Sequence, residues 1–309
     1  MMRQILLLAL LPLAATAAET STKPAAPTVA DVAYGTHERQ VLDFYKADSD
    51  KPTPLLFFVH GGGWTAGSKN KTTDFRAYLD KGISVVSINY RYTWQAQVDG
   101  IHPPVKAPLE DAARALQFVR SKAADWNIDK TRVAATGGSA GACTSLWLAM
   151  HDDMADPKSS DPISRESTRL LCAAGTGGQT SLDPKQCKEW TPNSRYGGHA
   201  FGFMDPADVK SRDTRFPEFL AKREELLPLI RKYSPIEHAS ADDPPIYLFY
   251  KTTPAMGQEK KDPTHTANYG VPLHEKLTAL KVPCKLVHPG TPDAEHPTSE
   301  AYLIDMLKR

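Results

Sequence analysis

The sequence lacks an excess of either charge: its 309 residues carry 37 lysines and arginines against 36 aspartates and glutamates, a formal net charge of +1. Nucleic-acid binding draws on a clear basic excess to neutralise phosphates, so this balance argues against such a partner and for small or neutral ligands. Beyond the N-terminus no stretch approaches the roughly 20 apolar residues of a bilayer-spanning helix, so stable membrane insertion is not expected. There is no HExxH, no paired CxxC and no phosphate-cradling glycine loop, so neither a metal nor any other cofactor is indicated. His151, Asp152 and Asp153 have the composition of a metal cluster, but adjacent residues on a helix point to different faces and cannot converge on one ion unaided. Cysteine is scarce as well. Cys143, Cys172, Cys187 and Cys284 are the four present, and four allow three pairings. Cys172 with Cys187 is the closest plausible pair, while Cys143 and Cys284 read equally well as buried thiols.

What is there begins with a leader. Residues 1–18 combine Arg3, an apolar run from Ile5 to Leu13 and small residues around Ala15, Thr16 and Ala17, the pattern of a secretory signal peptide. A secreted location, periplasmic or extracellular, is therefore expected. Residues 19–39 read as a linker and 40–309 as one domain.

Within that domain, continuous apolar runs alternate with stretches of helical periodicity. Gln40 to Tyr45 alternates like a half-buried strand. Pro54–His60 (PLLFFVH) and Ile83–Tyr90 (ISVVSINY) read as strands covered on both faces, with a crossover helix over Thr72–Lys81. Leu109, Ala112, Ala113, Leu116, Val119 and Ala123 share a helix face, and a strand at Arg132–Thr136 leads into a helix over Ala140–Met150. Further strands are expected at Leu170–Ala174, Ile246–Tyr250 and Lys285–His288, with helices over Val271–Leu280 and Thr298–Leu307. This rhythm predicts an α/β fold with a mostly parallel twisted sheet and helices on both faces. Residues 177–233, rich in Pro, Gly, Asp and Arg, break the rhythm and are expected as an insertion over the carboxyl edge of the strands, where open α/β sheets bind ligands.

Two glycine motifs carry the chemistry. Gly137-Gly138-Ser139-Ala140-Gly141 is a G-x-S-x-G between a strand and a helix, a turn that exposes a serine hydroxyl at the helix start, where amides and dipole favour negative charge. His60-Gly61-Gly62-Gly63-Trp64 follows the first long strand. Side-chain-free residues there let backbone amides approach an acyl-transfer oxyanion, and Gly62, Gly63 and Ala140 are the expected donors. His60 reads as a brace for the loop.

HGGGW, then Ile88–Tyr92 (INYRY), then GGSAGA resemble, in this order, the carboxylesterase and lipase branch of the α/β-hydrolase superfamily, close to its hormone-sensitive-lipase-like and feruloyl-esterase-like groups. The resemblance spans about Val41 to the C-terminus. It implies the α/β-hydrolase fold, an esterase reaction and a triad in the chain order serine, acid, histidine, and is not specific for substrate. A small-molecule or polysaccharide-linked ester, hydrolysed without a cofactor, is the expectation from the charge balance, the leader and the insertion. Ser139 is the nucleophile it implies. Asp262 is the first choice for the acid, with Glu259 beside it, although both stand further beyond the strand at Ile246 than the family pattern has its acid. Asp242 and Asp243 precede that strand and fall at the wrong edge. Family placement after the last strand favours His296 as the base, over His288 at the strand end, and Asp293 and Glu295 lie near enough to orient it. Trp64, Trp94 or Trp190 would suit stacking on a sugar or aromatic ring. Two other readings stay open at this point: a serine exopeptidase of the same fold, and a binding protein that lost the triad acid.

Overall fold

The computed structural model describes residues 24–69 and 73–309, so the leader read at residues 1–18 lies outside it. The predicted strands become β2 (Val41–Tyr45), β3 (Thr53–Val59), β4 (Ser84–Ile88), β5 (Ile128–Gly138), β6 (Cys172–Thr176), β7 (Ile246–Phe249) and β8 (Cys284–Val287), and an unpredicted strand, β1 (Val29–Ala33), precedes them. They form one eight-stranded sheet in the order β1-β2-β4-β3-β5-β6-β7-β8. The pairings from β4 through β8 are parallel, and β1 and β2 add an antiparallel edge. β1 falls inside the predicted linker. Its sequence VADVA places an aspartate mid-strand and is largely exposed, so it shows no apolar run for a sequence reading to detect.

The longer helices are α1 (Lys106–Ser121), α2 (Ala140–Met150), α3 (Arg223–Tyr233), α4 (Gly270–Ala279) and α5 (Ser299–Lys308). Side chains alternate across a strand, and the two faces of the sheet accordingly feed two cores. Leu55, Phe57 and Val59 of β3 pack with α1, α2 and α4 on one face, while Leu56 meets Phe75, Tyr78 and the Tyr302–Leu303–Leu307 stripe of α5 on the other. The predicted crossover helix is shorter than expected among the described residues, spanning Arg76–Leu79.

All four cysteines are free thiols, and the Cys172–Cys187 pairing is not formed. The sheet itself separates the two: Cys172 belongs to the core under α5 and Cys187 to the opposite core. Burial pushes both thiols up to about 12, which keeps them protonated and unreactive. No helix among the described residues is long and apolar enough to cross a membrane.

After β3 the chain crosses to β4 on one side, and the next strand of the parallel series, β5, returns to the other side of β3. The loops leaving β3 and β5 therefore diverge at a topological switch point, which opens a crevice at the carboxyl edge.

Candidate active site

Both glycine motifs emerge at that switch point, with Val59 and Gly137 in register on neighbouring strands. A Cβ on Gly137 or Gly141 would collide with the Val59 carbonyl oxygen, so only glycine lets the β5–α2 turn pass this close to β3. Ser139 occupies the corner with φ 55° and ψ −123°. An L-residue held there carries strain of about 1–3 kcal/mol, which the surroundings must over-determine. They do so through the Ser139 amide, which donates to the Thr176 carbonyl at 2.9 Å, and the Ser139 carbonyl, which accepts from Cys143 at 2.9 Å.

The expected oxyanion donors stand around this corner. Ala140 is the first residue of α2, so its amide has no acceptor within the helix. Gly62 and Gly63 have φ of 105° and 62°, and their amides find no acceptor among the described residues. The turn is braced from below. His60 stacks on Tyr90 with ring centroids 4.2 Å apart and its Nδ1–H donates to the Gly61 carbonyl at 2.7 Å. Trp64 is fully buried and donates to Thr144 at 3.0 Å, so it is a packing residue and presents no stacking surface.

The partner of Ser139 is a residue that sequence reasoning missed. His265 Nε2 lies 2.9 Å from Ser139 Oγ, and His265 Nδ1 lies 2.8 Å from Asp262 Oδ2. Burial raises the Asp262 pKa, but the His265 hydrogen bond and charge, with the Thr264 and His265 amides, outweigh it and hold the carboxyl below its usual range. An ionised carboxylate only accepts, so Nδ1 carries the ring proton, and Nε2 is left as an acceptor for the serine hydroxyl. Asp262 thus stands where the sequence placed the acid, while Glu259 makes no such contact.

The loop bearing both residues follows β7 and is tied to the insertion. Asn193 exchanges two hydrogen bonds with the Lys260 backbone, at 2.8 and 3.1 Å. Asn268 donates to the carbonyls of Trp190 and Ala255 and accepts from the Ala255 amide. Gly177, with φ 58°, leaves room for His265, which packs where a Cβ would come into contact. A cavity of about 270 Å³ opens beside the pair, lined by Thr176, Gly177, Lys251, Thr252, Asp262 and His265. A second of about 340 Å³ lies over the glycine turn between Phe58 and Thr73.

His296 is not brought to Ser139, and this corrects the expected base. Its Nε2–H donates to Asp305 Oδ2 of α5 at 3.1 Å, its carbonyl accepts from Tyr247, and its ring sits edge-on to Tyr302 at 5.5 Å. The residues between β8 and α5 carry it onto the face of the sheet beside Ile246, Cys284 and Lys285, at the starts of β7 and β8. His288 is also apart from Ser139, buried and accepting from the Gly290 amide at 3.1 Å. The family's usual order places the histidine after β8, whereas here the turn Asp262-Pro263-Thr264-His265 holds acid and imidazole three residues apart. That spacing beside a proline was the available signal.

A strained serine corner at the switch point of a mostly parallel sheet, faced by an imidazole–carboxylate couple, defines an α/β hydrolase of the carboxylesterase branch. More narrowly, the chain belongs to the BD-FAE family, whose model matches residues 42–256. It is similar to the probable carboxylic ester hydrolase LipM of Mycobacterium tuberculosis, 26% identical over 71% of this chain and 46% of that protein. A probable isoprenylcysteine alpha-carbonyl methylesterase of Oryza sativa, ICMEL1, is 28% identical over 49% of this chain and 34% of its own. The chain thus spans about a third to a half of the length of these curated relatives. Among solved structures, the acetyl ester-xyloside bifunctional hydrolase of Caldicellulosiruptor lactoaceticus is 25% identical, with a TM-score of 0.58 over 80% of this chain and 76% of that one.

Proposed function

We propose that the protein is a secreted serine carboxylesterase that works through an acyl-enzyme, with Ser139, His265 and Asp262 as its triad. The observation that carries this reading is the bridge from Ser139 through His265 to Asp262, at 2.9 and 2.8 Å. As Ser139 Oγ attacks an ester carbonyl, its proton passes to His265 Nε2, and the resulting imidazolium is stabilised by the Asp262 carboxylate. The carbonyl oxygen becomes an oxyanion held by the amides of Gly62, Gly63 and Ala140. Collapse expels the alcohol, which takes the proton from His265. A water then attacks the acyl-enzyme, gives its proton to the same nitrogen and releases the acid, regenerating Ser139.

The cavity beside His265, about 270 Å³, suits a short acyl group or a compact alcohol better than a long lipid chain. The family and the acetyl ester-xyloside hydrolase support a carbohydrate-linked or hydroxycinnamoyl ester as the substrate class. The leader read at residues 1–18 supports export. The test is a panel of acetyl, butyryl, octanoyl and feruloyl esters with the native chain and Ser139→Ala. Turnover should fall by a factor on the order of 10⁴ or more in the variant, together with loss of fluorophosphonate labelling; retained turnover would exclude Ser139 as nucleophile. A preference for octanoyl over acetyl esters would overturn the short-acyl assignment.

A further inference from the structure

The histidine expected as the base has another feature. Its Nε2–H is committed to Asp305, which fixes the tautomer and leaves Nδ1 with a lone pair. Nδ1 is buried, within a residue 5% exposed, and has no hydrogen-bond partner among the described residues. It points between two carboxylates, lying 3.8 Å from Asp293 Oδ2 and 3.8 Å from Glu295 Oε2. All three atoms fall within 4.8 Å of one another. Two ligands of one tetrahedral Zn²⁺ stand roughly 3.4 Å apart at ordinary Zn–N and Zn–O distances. The two ring-to-carboxylate distances therefore need to close by only a few tenths of an ångström, and the two carboxylate oxygens, at most 4.8 Å apart, by no more than about 1.4 Å, to share an ion.

We propose that Asp293, Glu295 and His296 form a divalent-metal site of the imidazole–carboxylate type that takes Zn²⁺, separate from the Ser139 site. The outer contacts are those a metal-binding histidine requires. Asp305 receives the distal ring proton, which orients the imidazole and raises its basicity. Asp293 Oδ1 accepts from the Glu295 amide at 3.0 Å, which turns Oδ2 toward the shared position. A cation already stands near it: Lys285 Nζ is 2.7 Å from Asp293 Oδ2 and 3.4 Å from Glu295 Oε2. The Lys285 side chain is 43% exposed, so the ammonium can swing into solvent when a doubly charged ion replaces it. Bound there, the ion links the chain after β8 to α5 through Asp305, and so ties the C-terminal helix to the sheet.

The experiment is calorimetric titration of the full chain with Zn²⁺ at neutral pH, alongside the thermal midpoint with and without the ion. One stoichiometric site and a raised midpoint are expected. Removing the competing charge with Lys285→Met should tighten binding by about fivefold or more. The exposed Glu295→Gln should weaken it about tenfold, Asp305→Asn about tenfold, and His296→Gln more than either. Failure of the native chain to bind, binding indifferent to Glu295→Gln, or weaker binding by Lys285→Met would each overturn the site. None of these readouts depends on ester turnover, so the proposal stands or falls apart from the esterase reading.

Discussion

Two imidazole–carboxylate couples sit on one α/β frame and differ in what faces the second ring nitrogen. At the carboxyl edge His265 leans on Asp262, its side chain 43% exposed, and its free nitrogen meets a serine hydroxyl. In the turn after β8 His296 leans on Asp305, its side chain 6% exposed, and its free nitrogen meets two more carboxylates. A carboxylate that fixes the tautomer is thus common to both. The third partner separates them: a hydroxyl permits proton transfer and nucleophilic attack, whereas two carboxylates offer only negative charge.

The sharpest way to break this contrast is to exchange the fates of the two rings. His265→Ala should lower ester turnover by a factor on the order of 10⁴ or more, while His296→Gln should leave kcat/KM within about threefold once folding is verified by circular dichroism. Equal losses in the two variants would merge the sites. Next in size, Asp262→Asn should cost on the order of 10³–10⁴ in kcat, because the amide stabilises the wrong tautomer and not the imidazolium; Glu259→Gln, measured in parallel, should change little.

A smaller effect concerns the backbone beneath the first couple. Gly141→Ala drives a methyl into the Val59 carbonyl, so urea unfolding should show a loss of about 1–3 kcal/mol, with turnover falling as the corner shifts. A third couple gives the mildest prediction. His199 is fully buried, and its Nδ1 lies 3.7 Å from Asp213 Oδ1, too long for a hydrogen bond. Burial lowers its pKa from the ordinary 6.5, and the nearby carboxylate does not restore it. The unfolded ring therefore takes up a proton as the pH falls through 6.5 while the folded ring does not. The stability tied to neutral His199 is complete above that pH and is lost progressively as the pH drops toward the folded value. Thermal midpoints measured from pH 8 to pH 5 should fall on the acid side, and less steeply in His199→Phe. His238 and His288, also lowered first by burial, add to the fall with the same sign and keep the slope from vanishing.

The parts legible in the sequence were those with local causes. The apolar runs at Pro54–His60 and Ile83–Tyr90 declared strands because a doubly covered strand has no polar face, and α2 begins at Ala140 as the glycine turn dictates. Ser139 and the Gly62–Gly63 turn were legible for the same reason: their chemistry is written in adjacent residues. His265 was not, because its role depends on a loop folding back from β7 and being pinned by Asn193 and Asn268, contacts that span 67, 78 and 13 positions of chain. His296 misled by position, since a histidine in a loop before the last helix has the right address but here the wrong neighbours. β1 escaped because a short, exposed edge strand has no need of apolar residues.

Because acid and imidazole belong to a single tetrapeptide turn, they travel together. Were the strap between β7 and α4 to lift, Asp262 and His265 would leave as an intact pair, their mutual bond unbroken, and dock again as one body. The couple is therefore held or lost as a unit, and what holds it includes Gln179, which donates to the Thr264 carbonyl inside the turn at 2.6 Å, together with Asn193 and Asn268 on the strap.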